Sequence, residues 1–87
     1  MNPTPQEHIV FTDFDGVEGI LVDLNTKKYY QLNETAMLIW KGLEEGLATE
    51  QIAERLASEY EVTPTAAREN IEHLLHELAN YKLIESS

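Results

Sequence analysis

The sequence has no cysteine, few cations, three prolines and no long apolar run. Without cysteine there are no disulfides, no thiolate metal sites and no Cys nucleophile. Nothing suggests an oxidising compartment. Cations are scarce: 6 Lys plus Arg stand against 16 Asp plus Glu, for a formal net charge of −10. That balance argues against nucleic acid, whose binding draws on Lys and Arg contacts to phosphate. It argues equally against an anionic membrane surface. The longest apolar run is five residues, Ala36 to Trp40, far short of a membrane span. Residues Met1 to Gln6 are polar and carry two prolines, so no apolar signal core opens the chain. What remains is one acidic domain, expected to be soluble and cytoplasmic. Its 87 residues leave no room for a second core, and 43% apolar with 25% charged is a globular composition. A chain this short buries roughly 60–65% of its unfolded surface. It has little surface for a deep pocket, so a binding or adaptor role is expected before an enzyme.

The chain divides into a disordered tail, 1–7, and one domain, 8–87. From His8 the apolar period is two, with Ile9 and Phe11 on one face. Asp15-Gly16 then signals a hairpin. Val17 to Leu24 reads as a second strand, with Ile20, Val22 and Leu24 expected inward and Leu21 outward beside Gly19 and Asp23. On that reading Leu21 and Val17 leave an apolar patch on the outer face. Asn25-Thr26 marks a second turn. Lys27 to Leu32 is a third strand, with Tyr30 and Leu32 on one face and Tyr29 and Gln31 on the other.

After Asn33 the period becomes 3.6. Asn33 is an N-cap beside the stripe Leu32, Ala36, Ile39 or Trp40, and Leu43. Gly42 and Gly46 mark the end of that helix. Thr49 is expected to cap a second helix, with Ile52, Leu56 and Tyr60 inward. Thr63-Pro64 opens a third, with the stripe Ala67, Ile71, Leu74 and Leu78, flanked by Leu75. Tyr81 to Glu85 is expected to run extended and cover the core with Leu83 and Ile84. Segregated strands and helices imply an α+β domain: a three-stranded antiparallel sheet followed by a three-helix bundle, winged-helix-like.

No catalytic constellation stands out. There is no Gly-rich phosphate loop, Ser/His/Asp set or nucleophile elbow. His73 and His76 lie near Glu72 and Glu77 on one helix, but a metal site needs three or more converging ligands. Asp13, Asp15 and Asp23 lack the spacing of a calcium loop.

Several residues together resemble a known family. Leu21-Val22-Asp23-Leu24, then Lys28-Tyr29-Tyr30-Gln31-Leu32-Asn33, then Ala36, Ile39 and Trp40 are similar to the PqqD-like family. Its members are the precursor-recognition modules of RiPP biosynthesis, the making of ribosomal peptides that enzymes then modify. A later helix opening with Thr and the tail Lys82-Leu83-Ile84-Glu85 extend the resemblance over residues 8 to 85. The pyrroloquinoline quinone branch has Cys-Asp-Gly after the first helix. Here the place reads Leu43-Glu44-Glu45-Gly46, which looks more like the stand-alone modules of lasso-peptide clusters.

The resemblance implies a non-catalytic peptide chaperone that needs no cofactor or metal. It would bind a leader peptide as an extra strand against the third strand, beside the third helix, and present it to a processing enzyme. That enzyme would be a leader peptidase or a radical-SAM maturase. The chain itself would be a monomer or homodimer. The expected peptide-binding residues are Lys27, Lys28, Tyr29, Tyr30, Gln31, Arg68, Ile71 and Leu75. Six of them also have a plainer reading. Lys27 and Lys28 protect an edge strand, Arg68 pairs with Glu72 at i,i+4, and Tyr30, Ile71 and Leu75 pack in the core. The rival function is a winged-helix DNA-binding regulator. Residues 64–82 oppose it with two cations against three anions.

Overall fold

Local signals set most element boundaries in the computed structural model, which describes residues 4–85. The elements are β1 (Thr4–Pro5), β2 (Ile9–Asp13), β3 (Gly19–Asp23), β4 (Tyr29–Leu32), α1 (Glu34–Glu44), α2 (Thr49–Tyr60), α3 (Pro64–Asn80) and β5 (Ile84–Glu85). Strands β2, β3 and β4 form an antiparallel meander in that order, and β1 pairs with β5. The expected α+β architecture is therefore present. It gains a second, two-stranded sheet that sequence periodicity did not reveal.

That small sheet corrects the expected tail. Met1 to Pro3 lie outside the described residues, but Thr4 and Pro5 pair with Glu85 and Ile84. The Gln6 N–H also donates to the Leu83 carbonyl at 3.1 Å. Leu83 and Ile84 are buried, so their backbone groups need partners there, and the N-terminal segment supplies them.

The faces of β3 are reversed from expectation. Leu21 is fully buried, while Leu24 is 48% exposed and Ile20 and Val22 are half-buried on the outer side. Register explains the reversal, because a one-residue shift flips every side chain. Leu21 stands between Phe11 and Tyr30. Gly19 lies beneath α1, where a Cβ would come within 2.6 Å of the Met37 sulfur and 2.7 Å of the Phe11 ring. Asp23 is buried because its carboxylate accepts the Asn25 N–H at 2.9 Å and the Thr26 N–H at 3.2 Å. His8 lies 3.6 Å away. Burial works to raise the Asp23 pKa, but the Thr26 and Asn25 donors and His8 outweigh it and hold the carboxyl below its usual range.

The turns also differ in detail. Only Gly16 of the Asp15-Gly16 pair has positive φ, and the loop closes through Phe14 N–H to Glu18 carbonyl. In the next turn the positive φ falls on Lys27, at 67°, rather than Thr26.

Helix α1 is capped by Asn33, whose side chain accepts the Ala36 N–H at 2.9 Å. Helix α3 is capped by Thr63, which accepts the Ala66 N–H at 3.1 Å, with Pro64 as its first residue. For α2 the cap moves from Thr49 to Ala48, whose N–H is held by the Gln51 side chain at 2.9 Å. Helix α1 lies on the inner face of the meander, and α2 and α3 pack beside it around Trp40, Ile52, Leu56, Ile71 and Leu83. Each such side chain contributes about 1.5–3 kcal/mol by leaving water. The Trp40 indole N–H finds no acceptor among the described residues, a cost of about 1–3 kcal/mol that the burial of its ring offsets.

Candidate functional site

Two of the depressions beside α1 differ in kind. The larger, about 660 Å³, lies between the β2–β3 hairpin, α1 and α2. It is lined by Glu34, Leu38, Lys41, Glu44, Glu45, Arg55, Glu59 and Tyr60, among others. Its cations are already engaged. Lys41 lies 3.0 Å from Asp13, and Arg55 lies 2.9 Å from Glu45. Burial, then the Glu34 carboxylate, pushes the Tyr60 hydroxyl pKa up. Among the described residues that line this cleft, none belongs to a strand.

The smaller groove, about 450 Å³, lies between β4 and α3. Its strand side is Tyr29, Tyr30, Gln31 and Leu32. Its helix side is Leu74, Glu77, Leu78 and Tyr81, with Asn33, Ala36 and Leu83 closing it. The Tyr30 and Tyr81 rings stack with centroids 4.8 Å apart, tying strand to helix.

Hydrogen-bond parity shows which backbone groups of β4 are free. The Asp23 N–H donates to the Lys28 carbonyl at 2.8 Å, so residues 23 and 28 stand at a hydrogen-bonded position of the ladder, although the Lys28 N–H turns to Thr26. Bonded and non-bonded pairs alternate along an antiparallel ladder. With Leu21 opposite Tyr30 and Gly19 opposite Leu32, those pairs bond. Tyr29 and Gln31, opposite Val22 and Ile20, sit at non-bonded positions. Their N–H and C=O groups therefore point away from β3, over the open edge of the sheet. An edge strand with unpaired groups is a template for another strand.

The expected site residues divide accordingly. Tyr29, Tyr30 and Gln31 line the groove. Lys27 and Lys28 are exposed at the head of β4, outside its lining. Ile71 is corrected: it is only 1% exposed and belongs to the core. Leu75 is half-buried against the core and Arg68 is exposed, and neither lines the groove. At about 100° per residue, Arg68 and Leu75 stand about 100–120° around the helix from Leu74. No Arg68–Glu72 ion pair forms among the described residues. The i,i+4 pair on α3 is His73–Glu77, at 3.1 Å.

Sequence reasoning missed Glu77 and Tyr81. The spacing Leu74, Leu78, Tyr81 carries the signal, since i, i+4 and i+7 share one helix face.

Comparisons with known proteins bear on the family and the fold. Residues 18–84 match the family model described as coenzyme PQQ synthesis protein D (PqqD). No curated protein matches the chain. Among solved structures, the chain is similar to TbiB1 in complex with the TbiA(beta) leader peptide. The two are 30% identical with a TM-score of 0.89, over 97% of this chain and 96% of that one. It is equally similar to lasso peptide synthetase B1 complexed with the leader peptide. There the identity is 30% and the TM-score 0.89, over 99% of this chain and 100% of that one.

Proposed function

The chain belongs to the PqqD family, and from that premise we propose that it binds the leader segment of a ribosomally made precursor peptide. The leader adds as a strand to β4 and lies in the groove beside α3. Strand addition takes affinity from main-chain hydrogen bonds and specificity from pockets under alternate side chains. The observation that carries this reading is the outward N–H and C=O of Tyr29 and Gln31 beside a groove of mixed apolar and polar side chains. Two relatives of matching fold were solved with leader peptides.

The module presents the leader to a processing enzyme, a leader peptidase or a radical-SAM maturase, and performs no chemistry itself. Tethering the substrate near that enzyme raises its effective concentration. The setting is the cytoplasm, where such precursors are made. A single chain supplies both walls of the groove. The acidic surface and the two-cation, three-anion count of residues 64–82 speak against the DNA-binding alternative.

Titration of a fluorescent leader peptide from the adjacent precursor gene tests the proposal. Saturable binding by the pure protein is expected, weakened by Pro at Tyr29 or Gln31. Absence of binding with the fold intact by circular dichroism would overturn it.

A further inference from the structure

We infer that Glu77 selects the bound peptide, so that a Lys or Arg side chain of the added strand lies over α3. The inference rests on reading the β4–α3 groove as the leader site. Among the residues lining that groove, Glu77 alone carries a formal charge; the rest are aliphatic, tyrosine or amide side chains. Its contact is His73, 3.1 Å away on the same helix, with side chains 76% and 51% exposed. An exposed pair of this kind holds a carboxylate weakly. Glu77 is therefore free to turn to a new partner.

An added strand changes its surroundings. The strand covers the groove and takes water from the carboxylate. A charge removed from water without a partner is costly. A facing cation supplies a charge-assisted hydrogen bond, whereas a facing carboxylate adds repulsion. Specificity comes from this penalty on the wrong partner as much as from attraction to the right one. The opposite sign rules at the head of β4, where Lys27 and Lys28 are exposed and have no ion-pair partner among the described residues. The groove thus carries one carboxylate on its helix wall, and two lysines lie beyond its lining at the head of β4.

A displayed library of random 20-residue linear peptides is the probe. It is selected against the wild-type protein, Glu77→Lys and Gln31→Pro, each checked by circular dichroism; Glu77 is exposed, so its variant is expected to fold. Wild-type protein should enrich peptides with Lys or Arg at one fixed distance from an apolar anchor, and Glu77→Lys should enrich Asp or Glu there. For single wild-type-selected peptides, Lys→Gln at that position should cost about fivefold in affinity. Against Glu77→Gln the same change should cost less than about twofold, as a coupled pair requires. Peptides that lose binding to Gln31→Pro but show no charge preference would overturn the role of Glu77 and leave the groove reading standing. Peptides that bind Gln31→Pro as well as wild type, or no enrichment at all, would overturn the groove reading and the inference with it.

Discussion

The two sides of α1 make a useful contrast. The larger cleft is charged, and its charges answer one another: Lys41 with Asp13, and Arg55 with Glu45. The smaller groove is nearly uncharged, and what it leaves unanswered is backbone, the N–H and C=O of Tyr29 and Gln31. Size alone would favour the charged cleft, whereas the proposed strand addition needs the groove. Exposed ion pairs are each worth about 0–1 kcal/mol and re-form readily with water. A row of free strand groups beside apolar side chains offers a partner several bonds in register.

Substitutions on both sides break or sharpen the contrast. The largest expected effect is on stability and comes from the two Asp-held turns. Asp23 is buried and accepts two turn amides on the groove side. Asp13 accepts the Gly16 N–H on the cleft side and is more open to water. Asp23→Ala should lower Tm by on the order of 5 °C, and Asp13→Ala by clearly less. Both carboxyls are held below their usual pKa, Asp13 chiefly by the Gly16 N–H and then Lys41. A depressed folded pKa means stability that is present above the ordinary value of 3.8 and lost as pH falls through the lower, folded value. Thermal unfolding from pH 7 to pH 2 should therefore show acid loss that shrinks in Asp23→Ala.

Next in size is leader affinity. Gln31→Pro or Tyr29→Pro removes one edge donor and should raise Kd about tenfold, since one such bond is worth about 1 kcal/mol and strain adds to it. Tyr81→Ala opens the wall that stacks on Tyr30 and should cost about fivefold, for the loss of about 1 kcal/mol of aromatic contact. Lys27→Glu with Lys28→Glu should weaken binding about threefold at low salt and hardly at all at 0.5 M, because exposed charges are screened. The smallest effect belongs to the other side. Lys41→Ala with Arg55→Ala should leave Kd within about twofold and cost less than about 1 kcal/mol of stability per pair. A large loss of leader affinity there would erase the contrast.

What the sequence made legible was local. Asn33 and Thr63-Pro64 announce their helices because a cap needs only its own neighbours. The edge strand from Tyr29 to Leu32 was legible because its period of two ends at a cap. The inward face of β3 was hidden, since Ile20, Val22 and Leu24 are the more apolar set. Register and the close approach of Met37 to Gly19 turn them outward. On α3 the stripe named the apolar face but not its neighbours. Ile71 meets the core, while Leu74 and Tyr81 meet β4, a division that depends on how two elements far apart in sequence come together. The pairing of Thr4 and Pro5 with the C-terminal strand was hidden for the same reason.

Amide hydrogen exchange of residues 28 to 32, followed by NMR with and without the leader peptide, tests the central claim most directly. Tyr30 and Leu32 already donate to β3, so their exchange should be slow in both states. Tyr29 and Gln31 should exchange fast in the free protein and slow sharply when the leader saturates it. If Tyr29 and Gln31 stay fast in the saturated complex, the leader binds elsewhere and strand addition to β4 is wrong.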